Sequence, residues 1–181
     1  MANFRLFIAQ TLDGYIARPD GKLDWLDQLP VPEGEDYGYG EFYEGIDTIV
    51  MGRTTYEEVL GFGVEWPYAD CQVFVLTSNE DFQPSTPNTQ VLAELDADTI
   101  DILRTTSMQG IWIVGGGQVI RSFLNLDAVD EMVLTIVPVI LGAGIPLFPA
   151  VSQETWFELD RVDSFETGVV NLYYQRKDSA E

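Results

Sequence analysis

Short apolar runs recur along the chain, each bounded by glycine, proline or polar residues, and stretches of helical spacing separate them. Residues 4–9, Phe-Arg-Leu-Phe-Ile-Ala, read as a first strand. Asp13-Gly14 and Pro19-Asp20-Gly21 then mark a turn-rich loop, with a short helix expected over 23–29. Asp36 is placed to cap a helix over 37–43, where Gly38 and Gly40 lower the propensity. The β-branched run 46–51 predicts a buried strand, and Gly52-Arg53-Thr54 leads from it into a helix ending near Gly61.

A further strand is predicted over 72–76, followed by a surface loop at 84–88 and a helix over 96–106. Ile111-Trp112-Ile113-Val114 is an apolar strand that runs through three glycines into a helix at 118–124. From Met132 the pattern is strands alone, at 132–139, 156–165 and 169–176, with a Gly/Pro-rich connection over 141–149. Strands alternating with helices predict a largely parallel sheet covered on both faces, and the strand-only end adds an antiparallel edge. The fold class is α/β, in one domain spanning 1–181.

Charge narrows the partners. Nine Lys+Arg against thirty Asp+Glu give a formal net charge of −21, which repels phosphate backbones and anionic headgroups, so neither nucleic acid nor membrane is expected. An acidic surface also suits a salty medium, a point the sequence leaves open. There is no histidine and Cys71 is the sole cysteine, which removes internal disulfides, Cys/His zinc sites and His-dependent nucleophile pairs; no metal is expected. Neither a signal peptide nor a spanning segment is predicted, and a cytoplasmic location is expected.

Two strand ends carry candidate chemistry. In Val114-Gly115-Gly116-Gly117-Gln118-Val119, glycines let backbone amides approach an anion and the following helix N-terminus supplies free N–H groups, or else the triplet is a bare tight turn. In Met51-Gly52-Arg53-Thr54, an arginine opening a helix opposes the dipole and calls for a compensating anion, either a ligand phosphate or one of the many carboxylates. Leu76-Thr77-Ser78 places two hydroxyls past a third strand, where open α/β sheets bind ligands and where turns also use hydroxyls.

In this order the three segments resemble the dihydrofolate reductase superfamily, and most closely the branch holding the reductase domain of the riboflavin-biosynthesis deaminase/reductase. Thr11-Leu12-Asp13-Gly14-Tyr15-Ile16-Ala17, Asp24-Trp25, Trp66-Pro67 and the run from Pro138 to Phe148 are similar to that branch too. The resemblance covers residues 4–174. It implies the three-layer dihydrofolate-reductase-like fold, NADPH as cofactor, a small heterocyclic substrate and a homodimer. Gly52, Arg53 and Thr54, with Leu76, Thr77 and Ser78, would face the adenosine 2′-phosphate. Val114, Gly115, Gly116, Gly117, Gln118 and Val119 would wrap the pyrophosphate, and Ala9 and Ile16 would flank the nicotinamide.

For the proton donor the resemblance points to Asp36, at the family spacing before Met51, with N-capping as its other reading and Asp13 and Asp24 as rivals. Trp25, Tyr37, Tyr39 and Trp66 are candidate walls for a flat ring. The departures lie on the substrate side. Ala69-Asp70-Cys71-Gln72 has no arginine to clamp a folate tail, and neither 36–45 nor 55–70 has one for a ribosyl phosphate. The expected activity is reduction of a pyrimidine- or pteridine-like ring, as in the ribosylaminouracil step or a dihydrofolate-type reaction. A non-catalytic NADPH-binding module and a ligand-free copy of the fold remain alternatives.

Overall fold

The computed structural model describes residues 1–177. Its strands are β1 (Asn3–Thr11), β2 (Tyr15–Ala17), β3 (Thr48–Gly52), β4 (Gln72–Leu76), β5 (Thr89–Leu92), β6 (Gly110–Gly115), β7 (Glu131–Val137), β8 (Ile145–Pro146), β9 (Phe157–Ser164) and β10 (Val170–Arg176). Its helices are α1 (Tyr39–Glu44), α2 (Arg53–Gly61), α3 (Ala97–Thr106) and α4 (Gly117–Asn125). Eight strands form one sheet in the order β5-β4-β3-β6-β1-β7-β10-β9, and β2 pairs with β8 in a separate ribbon. The strands from β5 to β7 are all parallel, whereas β10 runs antiparallel to both β7 and β9.

The period-2 alternation of the strands sorts side chains into two cores. Phe4, Leu6, Val50, Ile111, Ile113 and Leu134 meet Ile100 and Leu103 of α3 and Val119, Ile120 and Phe123 of α4. Ile49, Met51, Val73, Val75, Trp112 and Val133 meet Phe42 of α1 and Tyr56 and Val59 of α2. Helices therefore cover both sheet faces in three layers, as expected. Each fully buried Phe, Ile or Leu here contributes about 1.5–3 kcal/mol.

The amino ends of the strands are locked by buried or half-buried carboxylates. Asp47 accepts hydrogen bonds from Ser107 Oγ (2.5 Å), Met108 N (2.8 Å) and Gln109 N (3.2 Å), joining the starts of β3 and β6. Burial alone would push the Asp47 carboxyl up, but these donors and Thr48 Oγ1 outweigh it and hold it below the ordinary range. Asp130 accepts from Phe4 N (2.8 Å) and pairs with Arg104 (2.6 Å), tying β1 to the end of α3.

Some elements differ from the sequence expectation. Residues 23–29 form successive turns, with Leu26 N donating to Leu23 O (2.8 Å) and Leu29 N to Leu26 O (3.0 Å). So few residues between Gly21 and Pro30 cannot offset the cost of nucleating a helix. Helix α1 starts at Tyr39, after Gly38 in the left-handed region (φ 83°). Strand β7 stops at Val137 because Pro138 has no amide to continue the ladder. The short β2, β5 and β8 were not anticipated, being two to four residues with no alternation long enough to read.

Candidate active site

Sheet order brings the predicted binding segments side by side. The carboxyl ends of β4, β3, β6 and β1 are consecutive neighbours, so Thr77-Ser78, Gly52-Arg53-Thr54, Gly115-Gly116-Gly117 and Ala9 form one row along the top of the sheet. At about 4.8 Å per strand the row spans about 14 Å. Met51 of β3 lies opposite Gly115 of β6, and a Cβ on Gly52 would press Val119 Cγ2 at 3.1 Å. The peptide bond between Gly115 and Gly116 is cis, and Gly115 has φ 120°, a conformation that side chains disfavour.

Helices α2 and α4 both begin in this row, capped by Gly52 and Gly116, and neither cap residue makes a side-chain hydrogen bond. Neither has an acidic residue in its first turn. In a chain with thirty carboxylates, two adjacent helix starts free of them leave amide donors and positive dipole ends to a shared ligand. That cradle fits the pyrophosphate of a dinucleotide, and Gly116 keeps it open: only Thr55 Oγ1, at 3.8 Å, would lie close to a Cβ there. Arg53 is exposed and holds Glu57 only loosely, at 3.7 Å, so its guanidinium can turn to a phosphate. Thr54 and Ser78 are exposed, and Thr77 Oγ1 accepts from Asn79 N (3.2 Å) while its own proton remains to donate. Leu76 and Val114 pack into the two cores, and Gln118 is exposed beside buried Val119.

The segment after β1 closes over this row. Leu12 N donates to Val139 O (2.9 Å) and Leu147 N to Gly14 O (2.9 Å), while Tyr15 N donates to Thr11 Oγ1 (3.0 Å). Ile16 on β2 packs against the first core. Residues 146–149 seat on Gly117, where a Cβ would meet Pro146 O at 2.8 Å.

The three candidate acids take different places. Asp13 is exposed and accepts from Thr11 Oγ1 (2.6 Å), Gly142 N (2.7 Å) and Leu141 N (3.2 Å), binding the two loops together. The Thr11 hydroxyl, more than the two loop amides, holds it below the ordinary carboxylate range. Asp24 pairs with Arg18 (2.6 Å), which lowers it likewise. Both are standing anions, suited to accept hydrogen bonds and not to deliver a proton near neutral pH. Asp36 is exposed and accepts from Gly38 N (2.9 Å) and Gly40 N (2.8 Å), closing the first turn of α1. Burial pushes the Glu58 carboxyl up, and it lies on α2 against Gly21. Burial also raises the thiol of Cys71, despite a hydrogen bond with Tyr43, which makes it a poor nucleophile.

The aromatic candidates are mostly anchors. Tyr37 is buried, its hydroxyl donating to Pro30 O (2.7 Å) and its ring edge-on to Phe165. Trp66 packs edge-on to Tyr56 and Tyr68, and Tyr39 stacks on Tyr43. Trp25 is buried, and the indole N–H groups of Trp25 and Trp66 have no partner among the described residues. Two residues escaped sequence reasoning. Thr135 of β7 and Asn171 of β10 are 5% and 0% exposed, and Thr135 Oγ1 and Asn171 Oδ1 likewise have no partner among the described residues. Their signal was a polar residue directly between apolar neighbours, Leu134 and Ile136 for Thr135 and Val170 and Leu172 for Asn171.

Comparison with known proteins agrees with this fold. The family described as RibD C-terminal domain matches residues 3–171. The uncharacterized protein YwjB of Bacillus subtilis (strain 168) is 40% identical over 172 residues, covering 94% of this chain and 96% of that one. A crystal structure from Shewanella sp. PV-4, tied by its name to riboflavin biosynthesis, superposes with TM-score 0.89 at 36% identity over 98% of this chain and 99% of that one. Dihydrofolate reductase of Enterococcus faecalis, complexed with NADP(H), gives TM-score 0.69 at 23% identity, covering 97% of both chains. The Thermotoga maritima diaminohydroxyphosphoribosylaminopyrimidine deaminase/5-amino-6-(5-phosphoribosylamino)uracil reductase gives 0.69 at 19% identity, over 97% of this chain and 57% of that one. The last two show the shared fold.

Proposed function

The chain belongs to the RibD C-terminal domain family, and from that premise we propose that it is an NADPH-dependent reductase of a pyrimidine- or pteridine-like ring. The observation that carries the reading is the pair of adjacent helix starts at Gly52 and Gly116, which have no side-chain cap and no acid in the first turn.

When bound, NADPH supplies the hydride, so the protein needs no nucleophile of its own. The amides after Gly52 and Gly116 would hold the pyrophosphate, and Arg53, Thr54, Thr77 and Ser78 would take the 2′-phosphate. Ala9 and Ile16 would border the nicotinamide, with the paired loops at 11–17 and 139–147 excluding water. Asp36 would serve as an acceptor that orients a ring N–H or a proton-carrying water. The lack of a cation in 36–45 and 55–70 supports a substrate without an anionic tail. Exposed Trp156, Leu159 and Val162, on and beside the edge strand β9, support the expected homodimer.

The test follows cofactor absorbance with dihydrofolate, with the ribosylaminouracil phosphate and with the matching pteridine and aminouracil rings that lack the anionic tail, each in turn. Oxidation of NADPH with either ring identifies the reaction. NADPH binding with no oxidation across a wider set of pyrimidines and pteridines would favour the non-catalytic module.

A further inference from the structure

A cavity lies outside the row of strand ends, between the loop 18–24 and the last turn of α2. It holds about 280 Å3 and is lined by Gly21, Lys22 and Leu23 on one side and Glu58, Gly61 and Phe62 on the other. Two glycines shape it. Gly21 (φ 86°) would bring a Cβ to 3.7 Å from Glu58 Oε1, and a Cβ on Gly61 would meet nothing within 4 Å. Phe62 is 58% exposed, so an uncovered aromatic ring borders the same space as the carboxylate. The charges here do not balance. Both cations of the loop are committed within it, Arg18 Nε to Asp24 Oδ1 (2.6 Å) and Lys22 Nζ to Asp20 Oδ2 (2.8 Å). Glu58 faces that loop with neither a salt bridge nor a hydrogen bond among the described residues, and burial pushes its carboxyl up.

A carboxylate that gives up water without gaining a donor is unfavourable until a cation reaches it. We propose that this cleft binds a small organic cation, an ammonium on an aromatic or aliphatic body, with its N–H groups on Glu58 and its body between Leu23 and Phe62. An ammonium has only donors and an ionised carboxylate only accepts, and such a charge-assisted bond is roughly twice as strong as a neutral one. The net charge of −21 draws cations and repels anions, so the field of the whole chain favours the same class. Lys22 does not fill the place itself, because Asp20 holds its ammonium. The inference goes beyond the reductase reading and does not depend on it.

The experiment titrates benzylamine, benzyl alcohol and benzoate, alike in shape and different in charge, into the full chain at about 0.15 M salt, with binding followed by ligand-observed NMR. Benzylamine should bind about tenfold more tightly than benzyl alcohol, and benzoate more weakly than either. Glu58→Gln keeps the shape of the cleft, so the alcohol should bind as before while the preference for the amine falls toward one. Gly61→Leu keeps the carboxylate and fills the space. Leucine has the higher helix propensity, so α2 should be no less stable, and uptake of both amine and alcohol should be lost. Diffuse attraction of cations to an acidic surface would survive Gly61→Leu, so amine binding unchanged by that variant would overturn the site. Equal affinity for amine and alcohol, a preference unchanged by Glu58→Gln, or no uptake of benzylamine at about 10 mM would overturn it as well.

Discussion

Helices α2, α3 and α4 each follow a parallel strand, yet they begin in two different ways. Asp96 caps α3, accepting from Thr99 N (2.8 Å) and Thr99 Oγ1 (2.7 Å), and Asp98 adds a second acid to the first turn. Helices α2 and α4 begin at glycines, with neither cap nor acid. The same physics, amide donors at the positive end of a dipole, is satisfied internally in α3 and left open in its two neighbours. In so acidic a chain, two adjacent helix starts without carboxylates leave their amide donors open to an outside anion. The amino ends of the strands repeat the contrast, since Asp47 and Asp130 saturate their neighbours there.

The largest effect that can break the comparison comes from filling the open site. Gly116→Val has room at Cβ but puts a branched side chain between the two helix starts. NADPH affinity should fall about a hundredfold, or about 2.7 kcal/mol, against a loss of at most about 1 kcal/mol in ligand-free stability from replacing the glycine N-cap of α4. Retained affinity would move the pyrophosphate elsewhere. Next, Arg53→Ala should lose about tenfold in preference for NADPH over NADH, about 1.4 kcal/mol in relative binding, and an unchanged preference would take Arg53 out of the site. Asp96→Ala is the mirror experiment. Denaturant titration should show a loss of about 1 kcal/mol in stability, while cofactor affinity stays constant.

The smallest effect concerns Glu58, the one carboxyl on α2 whose pKa burial raises. A folded pKa above the unfolded one means stability that is complete below the ordinary glutamate range and is lost as pH rises through the raised value. Glu58→Gln should therefore raise the thermal midpoint slightly at pH 7 and leave it unchanged near pH 4. A lower midpoint at pH 7 would mean that the ionised group has a partner.

The long strands and the glycine row were legible because period-2 apolar runs and strand-to-glycine-to-helix junctions are local patterns. Sheet order was not local, yet it is what places Ser78, Arg53, Gly116 and Ala9 in one row. The turns at 23–29 and the short β2, β5 and β8 were misread or missed because each depends on contacts with distant loops, as Leu147 N to Gly14 O illustrates. On the substrate side, Asp13 was read as a possible acid, and its donors Gly142 and Leu141 lie far along the chain. Thr135 and Asn171 are brought face to face by the antiparallel register, which no local pattern shows.

The central claim is that two open helix starts hold a dinucleotide carrying a 2′-phosphate. It is tested most directly by the thermal midpoint of the full chain titrated with NADPH and, separately, NADH. The account predicts a rise with NADPH that follows the logarithm of its concentration, and a smaller rise with NADH at each concentration. No shift with NADPH at about a millimolar, roughly the weakest affinity the cradle should give, would contradict it.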